Sequence, residues 1–151
     1  MPPPPLPPLT WSAVAELLAP WRNYWVGTTG RDGSPHASPV WGVLLAQVLY
    51  FYTEPSTAKA RNLAADPRLV VHLESGDDVL IVRGTVQVST DPALLETVLT
   101  AFAAKYTDPG DLGYLPVGPP AETVFAVHPR AALAWALCDF DGTQRRWAAD
   151  G

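Results

Sequence analysis

Cysteine is almost missing: Cys138 is the one thiol in 151 residues, so no disulfide can close within the chain and nothing calls for an oxidising compartment. With no motif beside it to activate the sulfur, Cys138 reads as a small buried apolar residue and not as a nucleophile. Positive charge is also scarce. Ten Lys and Arg stand against fifteen Asp and Glu, a formal net charge of -5, whereas binding a phosphate backbone needs a concentrated cationic face. Nucleic acid is therefore not expected as a partner. Histidine occurs three times; His36 and His72 fall in strand-like runs without a Cys, Asp or second His at ligand spacing, and His128 precedes a proline, so no metal site is expected. Long apolar runs are lacking as well. The longest, Val40 to Tyr52, is broken by Gly42 and Gln47 and falls short of the ~20 residues of a spanning helix. There is no Walker loop, no nucleophile elbow and no paired-carboxylate pattern, which removes the usual hydrolase and nucleoside-triphosphatase readings. Met1 to Pro8 is proline-rich, with neither a basic n-region nor an apolar h-region, so residues 1–9 are expected as a disordered leader on a cytoplasmic protein that enters no membrane.

What is present is a 48% hydrophobic composition, enough for one domain over residues 10–151 with its own core. Thr10 caps a predicted helix over 11–19, closed by Pro20. Tyr24 to Thr29, a turn at Arg31-Asp32-Gly33, and Pro35 to Leu45 form a hairpin; a second turn at Ala46-Gln47 leads into Val48 to Thr53. A short helix follows over 57–65, capped by Ser56 and ended by Asp66-Pro67. Leu69 to Glu74 and Val79 to Val88 make another hairpin. Asp91-Pro92 opens a longer helix with Leu95, Val98, Leu99, Phe102 and Tyr106 on one stripe. After a Gly/Pro-rich loop from Asp108 to Pro120 come two last strands, Thr123 to Val127 and Ala131 to Leu137. Seven short, mostly antiparallel strands with inserted helices predict a mainly β fold, a closed or nearly closed barrel of Greek-key type.

Two segments carry chemistry. With Ser56 as cap, the free N–H groups of Thr57, Ala58 and Lys59 lie at the positive end of the helix dipole, where an anion would bind. Ser56, Lys59 and Asn62 share one stripe, while Arg61 lies about 200° around the axis from Lys59 and faces solvent, a carboxylate or a second subunit. An ordinary capped helix with solvated basic residues is the competing reading. Pro39, inside a strand, either marks a plain edge or interrupts the ladder so that backbone groups of Val40, Trp41 and Gly42 meet a planar ligand.

The succession Trp25-Val26-Gly27-Thr28-Thr29, Ser38-Pro39-Val40-Trp41-Gly42, Tyr50-Phe51-Tyr52-Thr53 and Lys59-Ala60-Arg61-Asn62-Leu63 resembles the pyridoxamine 5′-phosphate oxidase-like split-barrel proteins over roughly residues 20 to 147. The resemblance implies a split β-barrel and a homodimer holding FMN, or in one branch a deazaflavin coenzyme of the F420 type, between its subunits. By position, Ser38, Pro39, Val40 and Trp41 would line the ring, Tyr52 and Thr53 the adjoining strand, and Ser56, Thr57, Lys59 and Asn62 the phosphate end. Trp135, followed ten residues later by Arg145, looks like the family's carboxy-terminal flavin contacts, with Arg146 and Trp147 in the same closing motif. The implied activity is hydride transfer between that cofactor and a small conjugated substrate; a flavin or haem carrier without turnover, or a pyridoxamine 5′-phosphate oxidase proper, is the alternative. The chain departs from the true oxidases in carrying Arg145-Arg146-Trp147-Ala148-Ala149-Asp150-Gly151 where they have their Arg-Leu-x-Pro signature. The cofactor supplies the reactive atoms, so no acid/base pair need be visible.

Overall fold

Local chemistry sets the first elements of the computed structural model, which describes residues 1–150; Gly151 lies outside the described residues. Helix α1 (Trp11–Leu18) begins at Thr10, whose hydroxyl accepts from the Ala13 N–H at 3.1 Å, and it buries Val14, Ala15 and Leu18. Strands β1 (Tyr24–Thr29) and β2 (Pro35–Val40) pair as the expected hairpin, with Gly33 at φ 84° in its turn, a conformation that costs glycine nothing. The segment read as one strand from Pro35 to Leu45 is two. Trp41 separates β2 from β3 (Gly42–Leu45), which leaves β1 and pairs with β4 (Val48–Thr53) instead. Ala46 and Gln47 both take positive φ, 49° and 65°, which gives a two-residue turn whose twist matches the flanking strands.

After α2 (Ala58–Ala65) the chain lays down β5 (Arg68–His72), β6 (Asp78–Val88), α3 (Pro92–Lys105), β7 (Thr123–Ala136), the one-turn α4 (Phe140–Thr143) and β8 (Arg145–Ala148). The two strands expected around His128-Pro129 are one. Arg83 pairs with Ala131 and Gly84 with Pro129, so Arg130 is an extra residue on β7 and the proline sits at a bulge, where its missing N–H breaks no ladder bond. Gly84 permits the close approach there: a Cβ would lie 2.3 Å from the His128 carbonyl oxygen. Strand β8 was not foreseen; it pairs with the carboxy-terminal half of β7. Eight strands therefore replace the expected seven among the described residues.

The strand order is β2-β1-β5-β6-β7-β4-β3, with β8 added on β7. Every pairing is antiparallel. Strands β2 and β3 stand at opposite ends of that order, yet one residue joins them. The sheet must roll until its edges meet at Trp41, which makes it a split barrel. Inside the roll Val26, Phe51, Val71, Val82 and Val127 form the main core with Val14 and Leu18 of α1. A second cluster sits on the other face of β3, β4 and β7, where α3 brings Val98, Phe102 and Tyr106 against Val43, Tyr50 and Val124. Strand β4 is buried on both faces, which is why Leu49-Tyr50-Phe51 reads as an unbroken apolar run.

Two sequence expectations change at the periphery. Leu9 is buried in the main core, so the packed region begins one residue before the boundary drawn at Thr10, while Met1 to Pro8 are exposed. Cys138 is exposed, because it falls in the 3-10 turn (Leu137–Asp139) after β7 leaves the sheet. No helix among the described residues is long and apolar enough to cross a membrane.

Candidate functional site

The junction where the sheet closes on itself is also where a cavity of about 470 Å³ opens, within the size range of small-molecule sites. The β2–β3 break supplies Pro39, Val40 and Trp41; the end of β4 supplies Tyr52 and Thr53; the start of α2 supplies Thr57 and Lys59. Seven of the residues singled out from sequence thus meet on one cavity. The fold does this because β3 pairs with β4, and the turn after β4, closed by the Thr57 N–H donating to the Glu54 carbonyl at 3.1 Å, feeds directly into α2.

The helix start differs from the sequence reading by one residue. Thr57, not Ser56, is the cap: its hydroxyl oxygen accepts from the Ala60 N–H at 3.3 Å and donates to the Glu54 carbonyl at 3.0 Å. Two hydroxyl residues stood side by side, and the one that also meets Thr53 Oγ1, at 2.9 Å, took the role. Ser56 is exposed and outside the cavity. The shift makes Ala58 and Lys59 the first two helical residues, whose N–H groups have no intrahelical acceptor. Asn62 is turned away, its amide donating to Thr28 Oγ1 of β1 at 3.1 Å. Arg61 is exposed.

Lys59 is the electrostatic centre of the cavity. Among the described residues no carboxylate lies within ion-pairing distance of its ammonium, and partial burial lowers its pKa. A desolvated cation beside a helix N-terminus is stabilised by an anion, which would restore both the charge balance and the free N–H groups. A phosphate fits this donor set. Glu54 is the one carboxylate on the cavity, at its exposed rim.

The opposite wall is aromatic. Trp41 stacks on Tyr106 with centroids 4.1 Å apart and planes 8° from parallel, and the Arg22 guanidinium lies 5.1 Å from the indole centroid. Tyr114 meets Trp41 edge-on at 6.4 Å and its carbonyl accepts from Tyr52 Oη at 2.6 Å. Burial pushes the Tyr52 phenol up to about 12, so it stays a proton donor. Arg22 also pairs with the buried Asp111 carboxylate and holds its pKa down, which anchors the 108–120 loop carrying Tyr114. Gly42 is not free to meet a ligand: its N–H donates to Tyr106 Oη at 2.9 Å and its carbonyl accepts from Lys105 Nζ at 2.8 Å. Val40 and Trp41 remain the backbone candidates.

Asn23, Glu54 and Tyr114 line the cavity without having been singled out. The 108–120 segment stood out in sequence only as a Gly/Pro-rich loop, and no residue in it could be chosen from sequence. Tyr106 was visible only as the last member of a helical stripe.

The remaining candidates lie elsewhere on the subunit. Ser38 is two positions before Val40 on the same side of β2, with its hydroxyl buried and unpartnered. Trp135 and Arg145 share a separate cavity of about 230 Å³ with Leu6 and Trp21, and Arg145 Nε there is buried without a partner. Trp147 packs on Trp11, centroids 5.3 Å apart. Arg146, one residue away on a strand, faces the opposite side and is exposed. One subunit therefore does not bring its carboxy-terminal residues to the Lys59 cavity. A third hollow, about 1010 Å³, runs along β1, β2, β5, β6 and β7 and carries Arg83, Arg130 and His36.

Residues 11–136 match the sequence profile described as "Pyridoxamine 5'-phosphate oxidase". Among solved structures, the chain is similar to the conserved hypothetical protein Rv2991 from Mycobacterium tuberculosis, with 21% identity, a TM-score of 0.71 and 85% of each chain covered. It is similar to a heme binding protein from Mycobacterium smegmatis at 16% identity and a TM-score of 0.73, over 95% of this chain and 59% of that one. An F420 reductase aligns at 26% identity and a TM-score of 0.60, over 78% of this chain and 94% of that one. No curated protein sequence matches the chain.

Proposed function

Because the chain belongs to the pyridoxamine 5′-phosphate oxidase family, we propose that it is a flavin- or deazaflavin-dependent oxidoreductase that works as a homodimer and passes hydride between its cofactor and a small conjugated substrate. The observation that carries this reading is Lys59, a half-buried ammonium without a carboxylate partner, set beside the free N–H groups of α2 in a cavity whose far wall is aromatic. Lys59 and the Ala58 and Lys59 N–H groups hold the phosphate. Thr53 and Tyr52 border the chain between phosphate and ring. Pro39, Val40 and Trp41 flank the ring, and backbone donors of Val40 and Trp41 meet its polar edge, where negative charge develops on reduction. FMN or a deazaflavin coenzyme supplies the hydride chemistry; the protein binds, orients and excludes water.

Trp135 and Arg145 act from the second subunit in this reading. Their distance from the Lys59 cavity within one chain, the unpartnered Arg145 Nε and the uncovered hollow across β1, β2, β5, β6 and β7 support it. The similarity to a heme binding protein favours a second reading, a haem carrier without turnover, with His36 and His72 of the outer hollow as candidate ligands. The readings separate on one experiment: purified protein is incubated with FMN, with coenzyme F420 and with haem, desalted, and the retained chromophore identified by absorption and mass. Retention of a flavin or deazaflavin at about one per subunit supports the oxidoreductase; retention of haem alone transfers the function to the carrier.

A further inference from the structure

Lys105 is one of two lysines in the chain, and it lies behind the cavity, not on it. Its Nζ donates to the Gly42 carbonyl and to Tyr24 Oη, both at 2.8 Å, and sits over the Tyr24 and Tyr106 rings at 4.8 and 5.3 Å. No carboxylate pairs with it among the described residues. Tyr106, the next residue, accepts from the Gly42 N–H at 2.9 Å, donates its one hydroxyl proton to the Arg22 carbonyl at 2.7 Å with the Gly42 carbonyl as the alternative acceptor at 3.1 Å, and stacks under the Trp41 indole. The end of α3 thus grips both polar groups of Gly42 and one face of Trp41. These are the two residues at which the chain crosses from one sheet edge to the other.

A clamp at this point has a physical purpose. At the β2–β3 crossing the chain passes from the β1 ladder to the β4 ladder, and the Gly42 N–H and carbonyl are held there by side chains at the end of α3. A lysine is an expensive way to hold a carbonyl, since burial opposes its charge and lowers its pKa. An apolar residue would fill the same space at less cost, as happens around Phe102 one turn earlier. Sites that break a local rule in this manner are where function is expected.

We propose that Lys105 and Tyr106 are positioning residues that lock the two peptide planes flanking Gly42, Tyr106 the Trp41-Gly42 plane through the Gly42 N–H and Lys105 the Gly42-Val43 plane through the Gly42 carbonyl, and so set the ring-binding wall of the cavity, without touching the ligand themselves. This rests on the cofactor reading above. The groups facing Lys105 are Tyr24 from β1, the Gly42 carbonyl from β3 and Tyr106 from its own helix end, with Arg22 and Asp111 beyond Tyr106.

The test separates the ring end from the phosphate end. FMN and lumiflavin, which has the ring and no phosphate, are titrated by fluorescence quenching into the wild type, Lys105→Met, Lys105→Arg, Tyr106→Phe and Lys59→Ala. The clamp predicts that Lys105→Met and Tyr106→Phe weaken FMN and lumiflavin by the same factor, about tenfold, while Lys105→Arg stays within threefold of wild type and Lys59→Ala weakens FMN alone. The emission of Trp41, taken without ligand as the difference from the Trp41→Phe protein, shifts in Lys105→Met and Tyr106→Phe and keeps its wild-type position in Lys105→Arg. Unchanged lumiflavin affinity in folded Lys105→Met and Tyr106→Phe overturns the clamp. If wild type binds no flavin, the FMN form of the cofactor reading fails on its own and the Trp41 emission decides: a shift in Lys105→Met with rescue in Lys105→Arg sustains the clamp, and an unmoved emission overturns it.

Discussion

Replacing Lys105 by Met should make the protein more stable at neutral pH. A drop in the ammonium pKa from 10.5 to about 8 corresponds, at 1.36 kcal/mol per unit, to about 3.4 kcal/mol, which the partial exposure of the side chain reduces to roughly 1.5 to 2 kcal/mol. Methionine keeps the apolar stem and loses the hydrogen bonds to Tyr24 Oη and the Gly42 carbonyl, worth about 0.5 to 1.5 kcal/mol each in general. Both acceptors retain other partners, Gly42 through Tyr106 Oη and Tyr24 through the Leu18 carbonyl, so most of that loss is recovered and the net gain is about 1 kcal/mol. The sign of the pH dependence follows from a base whose folded pKa lies below its unfolded one. The penalty is fully present below about pH 8 and is relieved as pH rises towards 10.5, because the unfolded chain then binds the extra proton. Burial raises the Tyr24 and Tyr106 pKa values, so stability falls again above pH 10 in both proteins and cancels from the comparison. Urea unfolding at pH 7 and pH 9.5 measures this. The midpoint for Lys105→Met should lie about 0.5 M above wild type at pH 7, for an m-value near 2 kcal/mol/M, and closer to it at pH 9.5. A Met variant less stable at pH 7, with the gap unchanged or narrowing at pH 9.5, would refute the assignment of Lys105 as a desolvated cation.

Three further outcomes follow from the fold. Gly84→Ala places a methyl against the His128 carbonyl at the β6–β7 bulge, where only backbone can yield; a loss of about 3 kcal/mol or more is expected by chemical denaturation. Thr57→Ala should cost about 1 kcal/mol through loss of the α2 cap, while Ser56→Ala stays within about 0.5 kcal/mol, and the reverse order would restore Ser56 as the cap. The Asp111 carboxylate, kept below its usual pKa by Arg22, contributes stability that is present above the unfolded carboxylate pKa and lost as pH falls through the folded value; Asp111→Asn should flatten the acid limb of the stability profile.

The elements that could be read from sequence were those with local chemistry. Thr10 as a cap, the Asp32-Gly33 turn and the two-sided apolar run of β4 each declare themselves within a few residues. What stayed hidden depends on partners far along the chain. The split at Trp41 exists because β3 pairs with β4, not β1, and β7 runs through Pro129 because Gly84, on another strand, makes room for a bulge. Strand β8 has no apolar alternation strong enough to stand out from Arg145-Arg146-Trp147-Ala148. In the site, Pro39 to Trp41 and Lys59 were legible because a proline in a strand and a cation at a helix start are both anomalies. Tyr114, Asn23 and Lys105 were not, since nothing within their own segments distinguishes a loop tyrosine or a helix-end lysine from a solvated one.

The central claim is that the cavity at the closure of the barrel holds a phosphate-bearing redox cofactor through Lys59. The direct measurement is a titration of wild-type and Lys59→Ala protein with FMN and with coenzyme F420, followed by quenching of cofactor fluorescence. The account predicts that one of the two binds at about one per subunit, and that Lys59→Ala weakens it about 10- to 100-fold, the 1.5 to 3 kcal/mol of a hydrogen bond to a charged group. Binding of neither cofactor to the wild type, or equal affinity in Lys59→Ala, would contradict it.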